Sequence, residues 1–176
     1  FTKLERLADE LDIYLIAGML EGQGQPLYDA AVIPGPDGGL LGKHRKQKLE
    51  HEAVRITPGA DASPLATPIG SLGLMICADR RKPELVAELC AEGADVLFCP
   101  SGGMFGPRQN DWILQDRSRE NEKFIVFTHP TEFLVTDPGG RIVQRVLLGD
   151  ALDMDADEIG TAQDCRGGWY FAVERK

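Results

Sequence analysis

Apolar positions along the chain recur in two different rhythms. Leu4, Leu7, Ala8 and Leu11 fall at helical spacing, so residues 3–11 read as a short amphipathic helix. Thr2, with Glu5 three residues on, fits a capping box in which Thr2 is the N-cap. Ile13 to Met19 is a nearly continuous apolar run and predicts a strand buried on both faces. Leu27 to Ile33 predicts a second strand. Pro34-Gly35-Pro36-Asp37-Gly38-Gly39 predicts a turn, because proline fixes φ and glycine supplies positive φ. Leu40 and Leu41 then open a return strand, which makes a hairpin.

The segment Lys43 to Glu52 is polar and basic, and a loop or short helix follows it to Pro58-Gly59. Gly70 to Cys77 reads as another apolar strand. Pro83 opens a helix at a favoured first-turn position, and the helix runs to about Glu92. Gly93 ends it, and Asp95 to Cys99 is the next strand. A strand–turn–helix–strand unit at this spacing is the mark of an α/β fold. Arg108 to Asn121 reads as a charged helix with an apolar edge at Trp112 and Ile113, and Phe124 to Thr128 as a strand. Phe133–Thr136 and Arg141–Leu147 flank the turn Asp137-Pro138-Gly139-Gly140 as a second hairpin. Asp150 to Glu158 reads as a solvated acidic stretch and Trp169 to Val173 as a final strand. No repeat, low-complexity segment or linker divides the chain, so residues 1–176 read as a single domain.

Composition narrows the function. The 176 residues are 43% hydrophobic and 27% charged, which suits a globular chain with a real core. Lys and Arg total 19 against 28 Asp and Glu, a net charge of −9. That balance argues against a nucleic-acid partner and against an anionic membrane surface, since both need clustered cations. No apolar run reaches the length of a membrane span, and no secretory signal pattern is visible. Cys77, Cys90, Cys99 and Cys165 form no CxxC pair, and free thiols in a reducing cytoplasm are the expectation. Dinucleotide, Walker A and GxSxG motifs are missing, and His44, His51 and His129 form no zinc-ligand pattern.

The informative stretch is Gly73-Leu74-Met75-Ile76-Cys77-Ala78-Asp79. An apolar strand ends at Cys77, cations follow at Arg80, Arg81 and Lys82, and a helix starts at Pro83. A side chain at the carboxyl end of such a strand points into the crevice where α/β sheets bind ligands. A helix N-terminus and nearby cations both favour thiolate, the nucleophilic form. A buried apolar cysteine capping the strand fits the same residues, and physics alone leaves the two readings open. Cys90 sits on the apolar side of the Pro83 helix, Cys99 ends a strand, and Cys165 lies in a polar loop. These three read as structural.

Ile76-Cys77-Ala78-Asp79-Arg80-Arg81-Lys82-Pro83-Glu84 resembles the nucleophile motif of the carbon–nitrogen hydrolase (nitrilase) superfamily, C-x-D-x-R-x-P-E. Gly42-Lys43-His44-Arg45-Lys46-Gln47-Lys48-Leu49 resembles its lysine motif, R-K-x-x-L. Glu52 stands where that superfamily often carries a lysine-supporting glutamate. Gly93-Ala94-Asp95, Pro100-Ser101 and Arg117-Ser118-Arg119-Glu120-Asn121 match further segments in the same order.

The resemblance implies a four-layer α-β-β-α sandwich, incomplete at the N-terminus, because the first glutamate of the family's Glu-Lys-Cys triad lies on a strand upstream of the Thr2 helix. It implies a hydrolase of non-peptide amide, N-carbamoyl or nitrile bonds that releases ammonia and uses no metal or organic cofactor. Cys77 would be the nucleophile, Lys46 the cation facing the developing oxyanion, and the backbone N–H of Ala78 the second oxyanion donor. Glu52 would orient Lys46. Asp79, Arg81 and Glu84 would pair and hold the turn, and Glu120 and Asn121 would satisfy buried backbone groups. Phe105 and His129 are candidate pocket residues. Ala78 replaces an aromatic residue common in the family, which would open the pocket. The expected partners are a small-molecule substrate and further copies of the chain, with no nucleic acid and no membrane. The competing reading is a catalytically inactive α/β domain serving binding or assembly.

Overall fold

Strand pairing sorts the chain into two sheets. A computed structural model describes residues 1–22, 25–102 and 107–147. Its elements are α1 (Thr2–Leu11), β1 (Ala17–Glu21), β2 (Tyr28–Pro34), β3 (Leu40–Arg45), β4 (Leu65–Thr67), β5 (Gly70–Leu74), α2 (Pro83–Ala91), β6 (Val96–Pro100), α3 (Asp111–Asn121), β7 (Phe124–His129), β8 (Glu132–Thr136) and β9 (Ile142–Leu147). Short 3-10 turns stand at His51–Val54 and Cys77–Arg81. The first three strands make an antiparallel sheet in the order β1-β2-β3, and the other six run β4-β5-β6-β7-β8-β9. In the larger sheet β5, β6 and β7 are parallel to one another, and the outer pairs are antiparallel.

The alternation of side chains along each strand builds the layers. Val32 packs with Ala8, Ile13, Leu15 and Ala17 beneath α1. Its neighbours Ala31 and Ile33 face the other way and meet Leu72, Leu74 and Ile76 between the sheets. On β6, Val96 and Phe98 join that inter-sheet core. Leu97 and Cys99 point outward with Ile125, Phe127 and Leu134 to meet Leu85, Val86 and Leu89 of α2 and Ile113 and Leu114 of α3. The result is the α-β-β-α order expected of the resemblance, with α1 outside the small sheet and α2 and α3 outside the large one.

Local expectations fared unevenly. Both hairpins form, and Gly38 and Gly140 occupy their turns at φ +73° and +77°. The Thr2 capping box does not form. The carbonyl of Phe1 accepts the N–H of Leu4 at 2.8 Å and of Glu5 at 3.1 Å, so the helix already includes Thr2 and Phe1 is the N-cap. The run from Ile13 is not one strand buried on both faces. Ile13 and Leu15 are buried, but β1 begins only at Ala17, and its Leu20 is 61% exposed. Among the described residues β1 pairs only with β2, and its apolar residues are covered mainly where α1 lies over them. The Gly70 strand stops at Leu74, and a three-residue antiparallel partner, β4, precedes it. The helix predicted from Arg108 starts at Asp111, because Arg108 takes φ +69° and cannot continue it. Trp112 on that helix is exposed while Ile113 is buried. The acidic stretch 150–158 and the strand expected at 169–173 lie outside the described residues. Among the described residues no helix is long and apolar enough to cross a membrane.

Candidate active site

The site begins with the parity of the β2–β3 hairpin. Ala31 pairs with His44, and the Lys46 N–H continues the ladder by donating to the carbonyl of Asp29 at 2.8 Å. Asp29, Ala31 and Ile33 therefore share a face with His44 and Lys46, and that face looks toward the large sheet. Lys43 and Arg45 take the opposite face. There Arg45 holds Glu21 through Nε at 2.7 Å and Nη2 at 2.9 Å, and Lys43 pairs with the same carboxylate. The Arg45 hydrogen bond, working against burial and helped by Lys43, holds Glu21 down to about 2. The polar, basic run is thus split by the pleat, and Lys46 is only 5% exposed.

The Lys46 ammonium pairs with the Glu52 carboxylate and lies 3.5 Å from Asp29 Oδ2. Burial pulls its pKa down. The Glu52 hydrogen bond and the charges of Cys77, Asp29 and Glu52 outweigh that, so the net shift is upward. Burial pushes Glu52 up, but Lys46 and backbone N–H donors, among them that of Glu50, leave it below its ordinary value. Asp29 goes the other way. Burial raises it, and Lys46 offsets this only in part.

Cys77 opens the 3-10 turn after β5 with φ +48°, a left-handed conformation that is uncommon for a residue bearing Cβ. Such strain costs about 1–3 kcal/mol and persists only where the surroundings enforce it. The enforcement is visible. Asp79, fully buried, accepts the Ile76 N–H at 2.9 Å with Oδ2, and the N–H groups of Gln47 at 3.1 Å and Lys48 at 2.6 Å with Oδ1. His44 Nε2 lies 3.3 Å from Oδ2. Arg80, also buried, donates to the Cys77 carbonyl and, at 2.6 Å, to Asn110 Oδ1, with its guanidinium 5.5 Å from the centre of the Phe127 ring. Ala78 follows Cys77 at the start of the turn, where backbone N–H groups lack intrahelical acceptors.

The structure therefore joins Lys46 to Glu52 and ties their segment, through Asp79, to the turn that carries Cys77 and Ala78. His129 is buried at the end of β7, on the helix-facing side with Phe127, whose ring it stacks against at 5.8 Å. Its Nδ1 pairs with the Thr131 hydroxyl at 2.9 Å. Phe105 and Cys165 lie outside the described residues. Cys99 is buried and burial pushes its thiol up to about 12, while burial also raises Cys90. Both are poor nucleophiles at neutral pH.

The expected pairing of Asp79 with Arg81 is replaced by a different arrangement. Asp79 takes backbone amides from another strand's end, and Arg81 reaches Glu50 at 3.5 Å on the surface. Asn121 does serve a backbone group, donating to the Arg117 carbonyl at 2.8 Å, whereas Glu120 pairs with the Arg117 side chain at 3.0 Å. Asp29 escaped the sequence reading altogether. The signal that could have found it is period-two spacing, two residues before Ala31 on the face shared with Lys46.

Among the described residues no cluster of three or more His, Cys, Asp or Glu is placed to hold a metal ion. The site is a buried cation, two carboxylates of unlike proton affinity and a thiol on a strained turn. That is equipment for nucleophilic attack with a fixed positive charge at hand.

The family model described as carbon-nitrogen hydrolase matches residues 1–150. The chain is similar to the omega-amidase NIT3 of Saccharomyces cerevisiae, 27% identical over 175 residues that cover 85% of this chain and 60% of that protein. It is 28% identical over 191 residues to the deaminated glutathione amidase of Mus musculus, covering 92% of this chain and 59% of the relative. The crystal structure of Saccharomyces cerevisiae Nit3, a member of branch 10 of the nitrilase superfamily, superposes with a TM-score of 0.73 at 28% identity, covering 81% of this chain and 59% of that one. The chain thus spans about 60% of the length of these relatives.

Proposed function

Because the chain belongs to the carbon–nitrogen hydrolase family, we propose that it hydrolyses a small-molecule, non-peptide amide through Cys77. The Cys77 thiolate attacks the amide carbon and forms a tetrahedral intermediate whose oxygen carries the negative charge. Lys46 and the Ala78 N–H stabilise that oxygen, and Glu52 orients Lys46. The C–N bond then breaks, the nitrogen takes up a proton and leaves as ammonia, and a thioester remains on Cys77. Water cleaves the thioester, returning the thiol and releasing the acid. An amide is favoured over a nitrile or an N-carbamoyl compound, since the relatives above are named as amidases.

The observation that carries the reading is the buried Lys46–Glu52 ion pair, in a segment that Asp79 ties to the turn bearing Cys77. A buried lysine without function is expensive, and this one stands beside a cysteine on a strained turn.

Thiol labelling tests it. With iodoacetamide near pH 7, Cys77 should react faster than Cys90, Cys99 and Cys165, as read by peptide mass spectrometry. A panel of small amides should release ammonia. Cys77→Ala should abolish the release, and Lys46→Met should cut kcat/KM by about 10²–10³-fold, the usual effect of losing an oxyanion-stabilising group. Equal, slow labelling of all four thiols with no ammonia release would support the inactive-domain reading instead.

A further inference from the structure

We propose that Asp29 is a positioning residue of this site: a second carboxylate that holds the Lys46 ammonium together with Glu52 and sets how much of its charge reaches Cys77. The proposal rests on the reading of Cys77 as the reacting thiol and adds a residue that neither the motifs nor the comparisons assign.

Geometry carries it. Asp29 grips Lys46 twice, by its carbonyl on the Lys46 N–H at 2.8 Å and by Oδ2 at 3.5 Å from the ammonium. Strand parity puts both side chains on the face turned toward the large sheet, where the Cys77 turn lies. The two carboxylates on this ammonium are not equivalent. Glu52 also accepts the N–H of Glu50 at 3.2 Å, whereas Lys46 is the one side-chain partner of Asp29 among the described residues. The charged groups that act on Asp29 are Lys46 just after β3, Glu52 on the His51–Val54 turn and Asp79 on the Cys77–Arg81 turn. Two of these three are anions, so ionised Asp29 is compensated by a cation it shares. The upward shift of its carboxyl agrees with that. One lysine thus serves two carboxylates and a thiol. Neutral Asp29 leaves more of the positive field at Cys77, and ionised Asp29 draws it away.

The test is the pH profile of Cys77 alkylation by iodoacetamide, followed by peptide mass spectrometry from pH 4 to 9. Asp29→Asn keeps the size and removes the charge. It should make Cys77 labelling roughly threefold faster at a fixed pH near neutral. Asp29→Glu should restore the wild-type profile. If Asp29→Asn does not fold by circular dichroism, Asp29→Ser carries the same comparison. A neutral variant whose profile superimposes on wild type overturns the proposal, as does an Asp29→Glu profile that follows the neutral variant. Ammonia release from the amide panel is measured in parallel. Separated profiles without hydrolysis leave Asp29 in place and defeat the amidase reading, and hydrolysis with superimposed profiles does the reverse.

Discussion

Asp79 accepts the backbone N–H of Lys48 at 2.6 Å across 31 residues of sequence. With its other oxygen it accepts the N–H of Ile76 at 2.9 Å. One buried side chain thereby ties the end of β3, where Lys46 projects, to the turn that carries Cys77.

Asp79→Ala should consequently damage both stability and reactivity. It strips a buried acceptor from the N–H of Ile76 and from the half-buried N–H groups of Gln47 and Lys48, at up to about 1–3 kcal/mol for each group left without a partner. Thermal unfolding should show a large drop in Tm. Cys77 labelling, measured well below the variant's Tm, should slow toward the rate of an ordinary thiol. A variant that melts earlier but labels at the wild-type rate would show that the tie serves folding alone.

Gly59 should resist substitution for a related reason. Its N–H donates to the Lys46 carbonyl at 2.8 Å, and a Cβ there would run into the carbonyl of Arg45. That neighbour is backbone and cannot swing aside. Gly59→Ala should displace the Lys46 segment, lowering Tm and cutting amide hydrolysis at least tenfold. Gly93→Ala is the control for glycine loss, since no heavy atom lies within 4 Å of a Cβ there, though its φ of +99° brings its own strain.

Acid stability should depend on Glu21. Its carboxyl is held down to about 2, so it binds a proton less readily folded than unfolded. Its contribution is then fully present above its ordinary value of 4.5 and is lost as pH falls from there toward about 2. Glu21→Gln should remove about 1–2 kcal/mol at neutral pH, allowing for solvent screening of a partly exposed cluster. It should also flatten the decline between pH 4.5 and 2. A melting series by circular dichroism across that range checks the slope, and parallel wild-type and variant curves would refute the assignment.

Much of this was open to a reader of the chain. The hairpin turn at Pro34–Gly39 and the start of α2 at Pro83 follow from backbone restrictions that act within a few residues. The nucleophile candidate was also legible, because a cysteine between an apolar strand and a proline-started helix has few places to go. The misses have different causes. Thr2 loses its capping role to its neighbour, because the helix takes Phe1 as its cap. The Ile13 run loses its second buried face because α1 covers the Ala17 and Met19 side of β1 while Leu20 on the other side is exposed, which is a matter of long-range packing.

Lys46 marks the boundary between the two kinds of information. By itself the sequence determined that a lysine sits in a basic run, next to a strand and before a glutamate, and that a cysteine follows an apolar strand further on. Nothing in that order distinguishes a solvated lysine from a buried one, since Lys43, Arg45 and Lys48 stand beside it. Only the tertiary structure decided the matter. The pleat sends Lys46 inward with Asp29 and His44, the 3-10 turn brings Glu52 to its ammonium, and Asp79 closes the gap to Cys77. Strand parity is written in sequence, but which face becomes the interior depends on the second sheet that covers it.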